Sequence, residues 1–118
     1  MSHTLTPAAE RDIRDILRET LKRFGTRQLQ AYQQIIASGI EMVAENPDRP
    51  GSLDRSDILP GLRLWHLALT TGRRGGAAHC LYYRVGKLPD GATGTTVLRV
   101  LHEHMEPRHR IVRSLREK

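Results

Sequence analysis

Cysteine is nearly absent from this chain: Cys80 is the only one. A single thiol cannot form a disulfide framework or a cysteine-based metal site within one chain, so Cys80, set in an apolar stretch, reads as a small core residue. Long apolar runs are missing too. None approaches the roughly 20 residues that span a bilayer, and the opening Met1-Ser2-His3-Thr4 lacks the basic-then-apolar layout of a secretion signal. The expected location is therefore the cytoplasm, with no membrane partner. The Gly-rich stretch Thr70 to Gly76, TTGRRGG, carries two arginines, Arg73 and Arg74. It has neither a GxGxxG pattern nor a following Lys-Ser/Thr, which excludes a phosphate loop. Internal repeats and low-complexity tracts are also absent.

With 118 residues, 38% of them hydrophobic, the chain can bury one core and is expected to form a single domain, 1–118. Its net charge is +6. That leaves three partner classes: nucleic acid, a machine that handles nucleic acid, or an acidic protein. A solvated arginine-rich surface accounts for the same balance, so charge alone decides nothing.

Residues 3–6 can supply a short edge strand. Thr6-Pro7 then marks a helix start, the hydroxyl capping an orphan N–H and the proline standing where a missing donor costs nothing. Ala9, Ile13, Ile16, Leu17, Leu21 and Phe24 follow at helical spacing, opposite Arg11, Asp12, Arg14, Asp15, Arg18, Glu19 and Lys22. This predicts an amphipathic helix over 7–24 that Gly25 ends. Thr26 is placed to cap a second helix over 27–45, with Leu29, Tyr32, Ile35, Ile36, Ile40 and Val43 on its apolar face and Gly39 available for close approach. Asn46-Pro47 stops it. So short a joint makes the two an antiparallel hairpin. Residues 47–61 are rich in proline and glycine and are expected to be a surface connection.

Three strands are expected beyond it, over 62–69, 78–85 and 95–102. The alternation of 62–69 is imperfect, as though both faces were partly covered. Leu88-Pro89-Asp90-Gly91 reverses the chain between the last two strands. Tyr82 and Tyr83 point to opposite faces. Residues 107–118 form a basic tail, Arg108, Arg110, Arg113, Arg116 and Lys118 around Ile111, Val112 and Leu115, too short for a stable helix unless it docks. Leu17, Leu21, Ile36, Ile40, Val43, Leu81, Leu98 and Val100 are expected in the core of an α+β domain in which a helix hairpin packs on a small antiparallel sheet, in the order β-α-α-β-β-β.

The run Leu5-Thr6-Pro7-Ala8-Ala9-Glu10-Arg11-Asp12-Ile13 is followed by Arg23-Phe24-Gly25, Ala44-Glu45-Asn46-Pro47 and Pro60-Gly61-Leu62-Arg63. Leu81-Tyr82-Tyr83-Arg84-Val85, Val97-Leu98-Arg99-Val100-Leu101-His102 and Met105-Glu106-Pro107-Arg108 complete the series. In this order and spacing they resemble toxins of the RelE/ParE superfamily, on the ParE side. The turn at 70–77 and the hairpin at 86–94 are longer than the family pattern. The resemblance implies a toxin of a type II toxin–antitoxin pair, held in a heteromeric complex by a ParD-like antitoxin and touching operator DNA only through that antitoxin. It implies DNA gyrase as the target, inhibited by binding. The alternatives are a RelE-type messenger RNA endonuclease that works in the ribosome, and a basic nucleic-acid-binding module without toxicity.

A ribonuclease needs an acid, a base and cations around a phosphate. Arg63, Arg84, Arg99 and His102 are the residues that would serve; strand arginines that are simply solvated or ion-paired, and a histidine that ends a strand, are the plainer account. For target binding the candidates are Arg99, Met105, Arg108, His109 and Arg110. For antitoxin binding they are Leu17, Leu21, Tyr32, Ile36 and Trp65, although most of each apolar stripe is simply core. His102 and His104 are spaced like a ligand pair on a strand, but no third ligand accompanies them. Neither a metal nor a cofactor is expected.

Overall fold

Thr6 begins the first helix by two routes at once. Its hydroxyl accepts from the Ala9 N–H at 3.0 Å and donates to the Leu98 carbonyl at 2.7 Å, so the cap also ties the helix start to a strand. The computed structural model describes residues 2–73 and 75–116. Arg74, and Lys118 of the basic tail, lie outside the described residues. Helix α1 spans Pro7–Phe24 and α2 spans Thr26–Glu45. Gly25 joins them at φ 88°, a conformation in which a side chain would be strained, and its N–H caps the Leu21 carbonyl. Thr26 is the first residue of α2 rather than its cap, because Gly25 occupies the cap position with no side-chain bond.

The remaining elements are β1 (His3–Leu5), β2 (Leu53–Asp54), β3 (Arg63–His66), α3 (Ala68–Thr71), β4 (His79–Lys87), β5 (Thr93–His102) and α4 (Pro107–Arg116). The strands form one sheet in the order β1-β5-β4-β3-β2. The sheet is mixed rather than wholly antiparallel, since β1 runs parallel to β5 with His3 opposite Thr95. The chain reaches β5 from β1 through the helix hairpin and three strands, a connection long enough to bring two parallel strands together. Residues 47–61, expected to be connection alone, contribute the two-residue β2, with Leu53 opposite Leu64.

The strand expected over 62–69 ends at His66. There the His66 Nδ1 accepts from the Ala68 N–H at 3.0 Å and turns the chain into α3. The imperfect alternation of this stretch is thus a change of element. Further on, Tyr82 stands opposite Arg99 while Tyr83 stands opposite Val97, so Leu98 has no counterpart and β5 bulges. Because of the bulge, Val97 and Val100 face the hairpin while Leu98 and Leu101 face the other way.

Two apolar clusters result, one on each face of the sheet. Ala9, Ile36, Ile40, Val43, Trp65, Leu67, Leu81, Tyr83, Val97 and Val100 fill the space beneath the hairpin. Gly39 lets α2 come close here: a Cβ on it would run into the Leu67 side chain. Ile58, Leu62, Cys80, Tyr82, Leu98, Leu101 and Ile111 fill the opposite side. Of the expected core residues, Ile36, Ile40, Val43, Leu81, Leu98 and Val100 are buried. Leu17 is half-buried, and Leu21 is 44% exposed. Helix α1 buries Ala8 and Ala9 against the sheet and its last turns run past the packed cluster, which is why Leu21 was wrongly expected inside. Among the described residues no helix is long and apolar enough to cross a membrane.

Candidate functional site

Glu106 starts α4 by folding back on the helix, its two carboxylate oxygens accepting from the Arg108 and His109 N–H groups at 2.8 and 3.0 Å. Those bonds, with the nearby cations, hold its pKa below the usual carboxylate range. Ile111 is fully buried against the sheet. Arg108 donates to the Asp57 carbonyl at 2.7 Å, and Arg99 donates to the Arg110 carbonyl at 2.9 Å. The basic tail is therefore a docked helix that closes the second core cluster.

The face α4 turns outward is basic. His109, Arg110, Arg113 and Arg116 are exposed. At about 100° per residue they occupy roughly a third of the helix circumference, centred almost opposite Ile111. A concave region of about 900 Å³ lies along this helix, lined by Glu106, Arg108, His109, Arg110, Val112, Arg113 and Arg116. Met105, two residues before α4, is 42% exposed. Of the proposed target contacts, Arg108, His109 and Arg110 thus share one surface, although Arg108 is already engaged with Asp57. Arg113 and Arg116 belong with them, and helical spacing from Pro107 would have found both.

Arg99 is differently placed. Its guanidinium chelates Asp12 of α1, donating to Oδ2 at 2.7 Å and to Oδ1 at 2.8 Å, and Oδ2 also accepts from the Val100 N–H at 2.9 Å. The two side chains are only 17% and 14% exposed. Asp12 in this way satisfies an edge of β5 that β1 does not reach, and Arg99 serves the fold. Its charge is turned inward, towards α1.

The four residues that would make a ribonuclease do not converge. Arg63 bonds Ser52, by its Oγ at 2.7 Å and its carbonyl at 3.2 Å, and lies near Asp48. Arg99 is held by Asp12. Arg84 lines a separate groove with Lys87, Thr96 and Leu115. His102 sits at the far end of β5, opposite His79. On the face of the sheet beneath α4, Tyr82, Leu98, Leu101 and Ile111 pack together.

His102 belongs to a histidine-rich end of the sheet. Its ring meets those of His79 and His104 at centroid distances of 5.4 and 5.2 Å, and His66 bonds Glu103 at 2.8 Å. Among the described residues no three His, Cys, Asp or Glu side chains converge as metal ligands. Burial, and then the charge of His102, lowers the pKa of His79 to about 4. A neutral His79 accepts the Tyr32 hydroxyl proton at Nδ1, 2.6 Å away, while the Tyr32 oxygen accepts from the Ala78 N–H at 3.2 Å. Since the folded pKa lies below that of an unfolded histidine, about 6.5, the unfolded chain binds the extra proton. The contribution of His79 is complete above pH 6.5 or so and is lost as pH falls towards 4. Urea midpoints measured from pH 7 to 4 should show a shallower acid decline in His79→Gln than in the parent; equal slopes would contradict this.

Of the proposed antitoxin contacts, Leu17 and Leu21 are accessible on the outer part of α1. Phe24, which the sequence pattern had placed only in the stripe, is 67% exposed beside them. Ile36 and Trp65 are each 3% exposed and belong to the core, so as partner contacts they are corrected: they have no surface to offer. The Trp65 indole N–H is used as well, bonded to Thr70 Oγ1 at 2.9 Å. Tyr32 is half-buried and ties α2 to β4 through His79.

A family model described as the ParE toxin of the type II toxin–antitoxin system, parDE, matches residues 4–107. The chain is 30% identical over 107 residues to the Toxin ParE of Escherichia coli, covering 89% of this chain and 87% of that protein. It is 32% identical over 104 residues to the Toxin ParE1 of Mycobacterium tuberculosis, covering 88% of this chain and 91% of the relative.

Proposed function

The chain belongs to the ParE toxin family of type II toxin–antitoxin systems, and from that premise we propose that it inhibits DNA gyrase in the cytoplasm by binding alone, through the outward face of α4, until a ParD-like antitoxin neutralises it. The observation that carries this reading is the contrast between the two sides of α4. Outward it offers His109, Arg110, Arg113 and Arg116, while inward it rests on packed apolar side chains. Binding needs a fixed surface with exposed anchors, and arginine is a favoured one.

The antitoxin would take a different surface, on α1. Leu17, Leu21 and Phe24 form an apolar tip on the outer part of the hairpin, suited to a segment that orders as it binds. Two sites so placed allow toxicity and neutralisation to be separated by mutation. Arg113→Glu with Arg116→Glu should weaken gyrase inhibition by roughly thirtyfold, the size of one good arginine anchor, with unchanged unfolding and antitoxin affinity. Phe24→Asp should do the reverse, weakening the antitoxin complex and sparing inhibition. Both can be read from plasmid supercoiling and from titration with the antitoxin. Full inhibition by the α4 variant would overturn this account of the site.

A further inference from the structure

The charge on α4 does not stop at the helix. Leu115, near its end, lines a groove of about 380 Å³ with Arg84 and Lys87, which come from β4. Arg84 stands opposite Thr96 on the sheet, and Lys87 opposite Thr93. Among the described residues no carboxylate lines this groove. The side chains of Arg110, Arg113, Arg116, Arg84 and Lys87 have no hydrogen-bond or ion-pair partner among the described residues. On α1 the pattern is different: Arg18 pairs with Asp15 and Arg23 with Glu19. Beside α4, the carboxylate that precedes it, Glu106, is spent on capping backbone N–H groups. The helix dipole favours cations in the last turn and accounts for Arg113 and Arg116. It does not account for Arg110, Arg84 or Lys87.

We infer that this track, from Arg110 along α4 to Arg84 and Lys87, binds the phosphate backbone of duplex DNA directly and without sequence preference. The inference rests on the reading of α4 as the target surface and adds to it that part of the target is the DNA gyrase holds. Phosphate recognition requires multiple unpaired cations on a fixed scaffold. Ile111 and the contacts of α4 to Asp57 and Arg99 supply the rigidity. Duplex is favoured over single strand because single-strand binding relies on exposed aromatic platforms. Here Trp65, Tyr82 and Tyr83 are buried and Tyr32 is half-buried. Phe24, the exposed one, lies on the helix hairpin rather than on the track.

The test is fluorescence anisotropy of the purified full chain with a labelled blunt-ended duplex of arbitrary sequence, repeated over a salt series. Binding should weaken with salt, and the slope of log K against log salt should fall by about one for each phosphate-contacting residue removed. In Arg110→Ala/Arg113→Ala/Arg116→Ala the slope should therefore shrink by about three and affinity at low salt should drop at least tenfold. Arg84→Ala/Lys87→Ala should lose a smaller share, and Ser114→Ala should bind like the parent. Absence of binding at low salt, an unchanged slope in the triple variant, or tighter binding to a single strand of equal length would each overturn the inference. Capture of gyrase in the absence of DNA separates the two readings. If gyrase is captured through α4 but duplex is not bound, the DNA contact is wrong and the target surface stands. If the arginines govern duplex binding while gyrase inhibition persists without them, the target surface is wrong and the DNA contact stands.

Discussion

Replacing Asp12 by alanine is expected to remove about 3–5 kcal/mol of stability, the usual result of taking one partner from a buried ion pair. Asp12 receives two bonds from Arg99 and one from the Val100 N–H, and both side chains are largely covered. Without the carboxylate, a guanidinium stays enclosed and a strand-edge donor loses its acceptor. A small domain is commonly stable by about 5–15 kcal/mol, so the variant should be partly unfolded at moderate temperature. Urea unfolding followed through the fluorescence of Trp65, the chain's one tryptophan and a core residue, measures this directly. Asp12→Asn keeps the acceptor and the shape and should lose less. A loss below about 1 kcal/mol, the value of an exposed pair, would mean that the Asp12 and Arg99 contact is solvated and that α1 is held by packing alone.

The second large effect belongs to Ile111. Truncating a buried isoleucine to alanine costs about 2–5 kcal/mol, and Ile111→Asp adds the burial of a charge. The aspartate variant should release α4 and uncover Leu62, Tyr82, Leu98 and Leu101, which the helix and the loop before β3 now cover together. Hydrogen exchange should show α4 unprotected, and the protein should bind a dye for exposed apolar surface. Unchanged protection of α4 would mean that its two arginine contacts, to Asp57 and from Arg99, suffice to hold it. Removal of residues 108–118, which a short basic tail would tolerate, is by the same argument a core mutation.

Much of the fold was legible because local and long-range signals agreed. Thr6-Pro7 starts α1, Gly25 turns the hairpin and Asn46 ends α2, each where its backbone chemistry requires. What escaped depended on partners distant in sequence. Asp12 looks like any residue on the charged face of a helix until β5 brings Arg99 to it across the fold. The bulge at Leu98 shifts the later residues of β5 between faces, and strict alternation cannot reveal that. Ile111 in a tail of arginines carries a weak apolar signal, yet it is fully buried. Trp65 and Ile36 were taken for partner contacts because a stripe does not say which of its members the sheet covers. The proposed target surface was partly visible as a run of basic residues. Its division into an inward Arg99 and an outward Arg110, Arg113 and Arg116 required the docked helix.

The central claim is that this toxin acts by binding gyrase and cuts nothing itself. It is tested most directly by adding the purified chain to gyrase with supercoiled plasmid and, in parallel, to ribosomes translating a defined message. The account predicts loss of gyrase activity with broken plasmid accumulating, reversal by the antitoxin, the same result with His102→Ala, and an intact message. Cleavage of the message in the ribosome, abolished by His102→Ala while gyrase remains active, would contradict it.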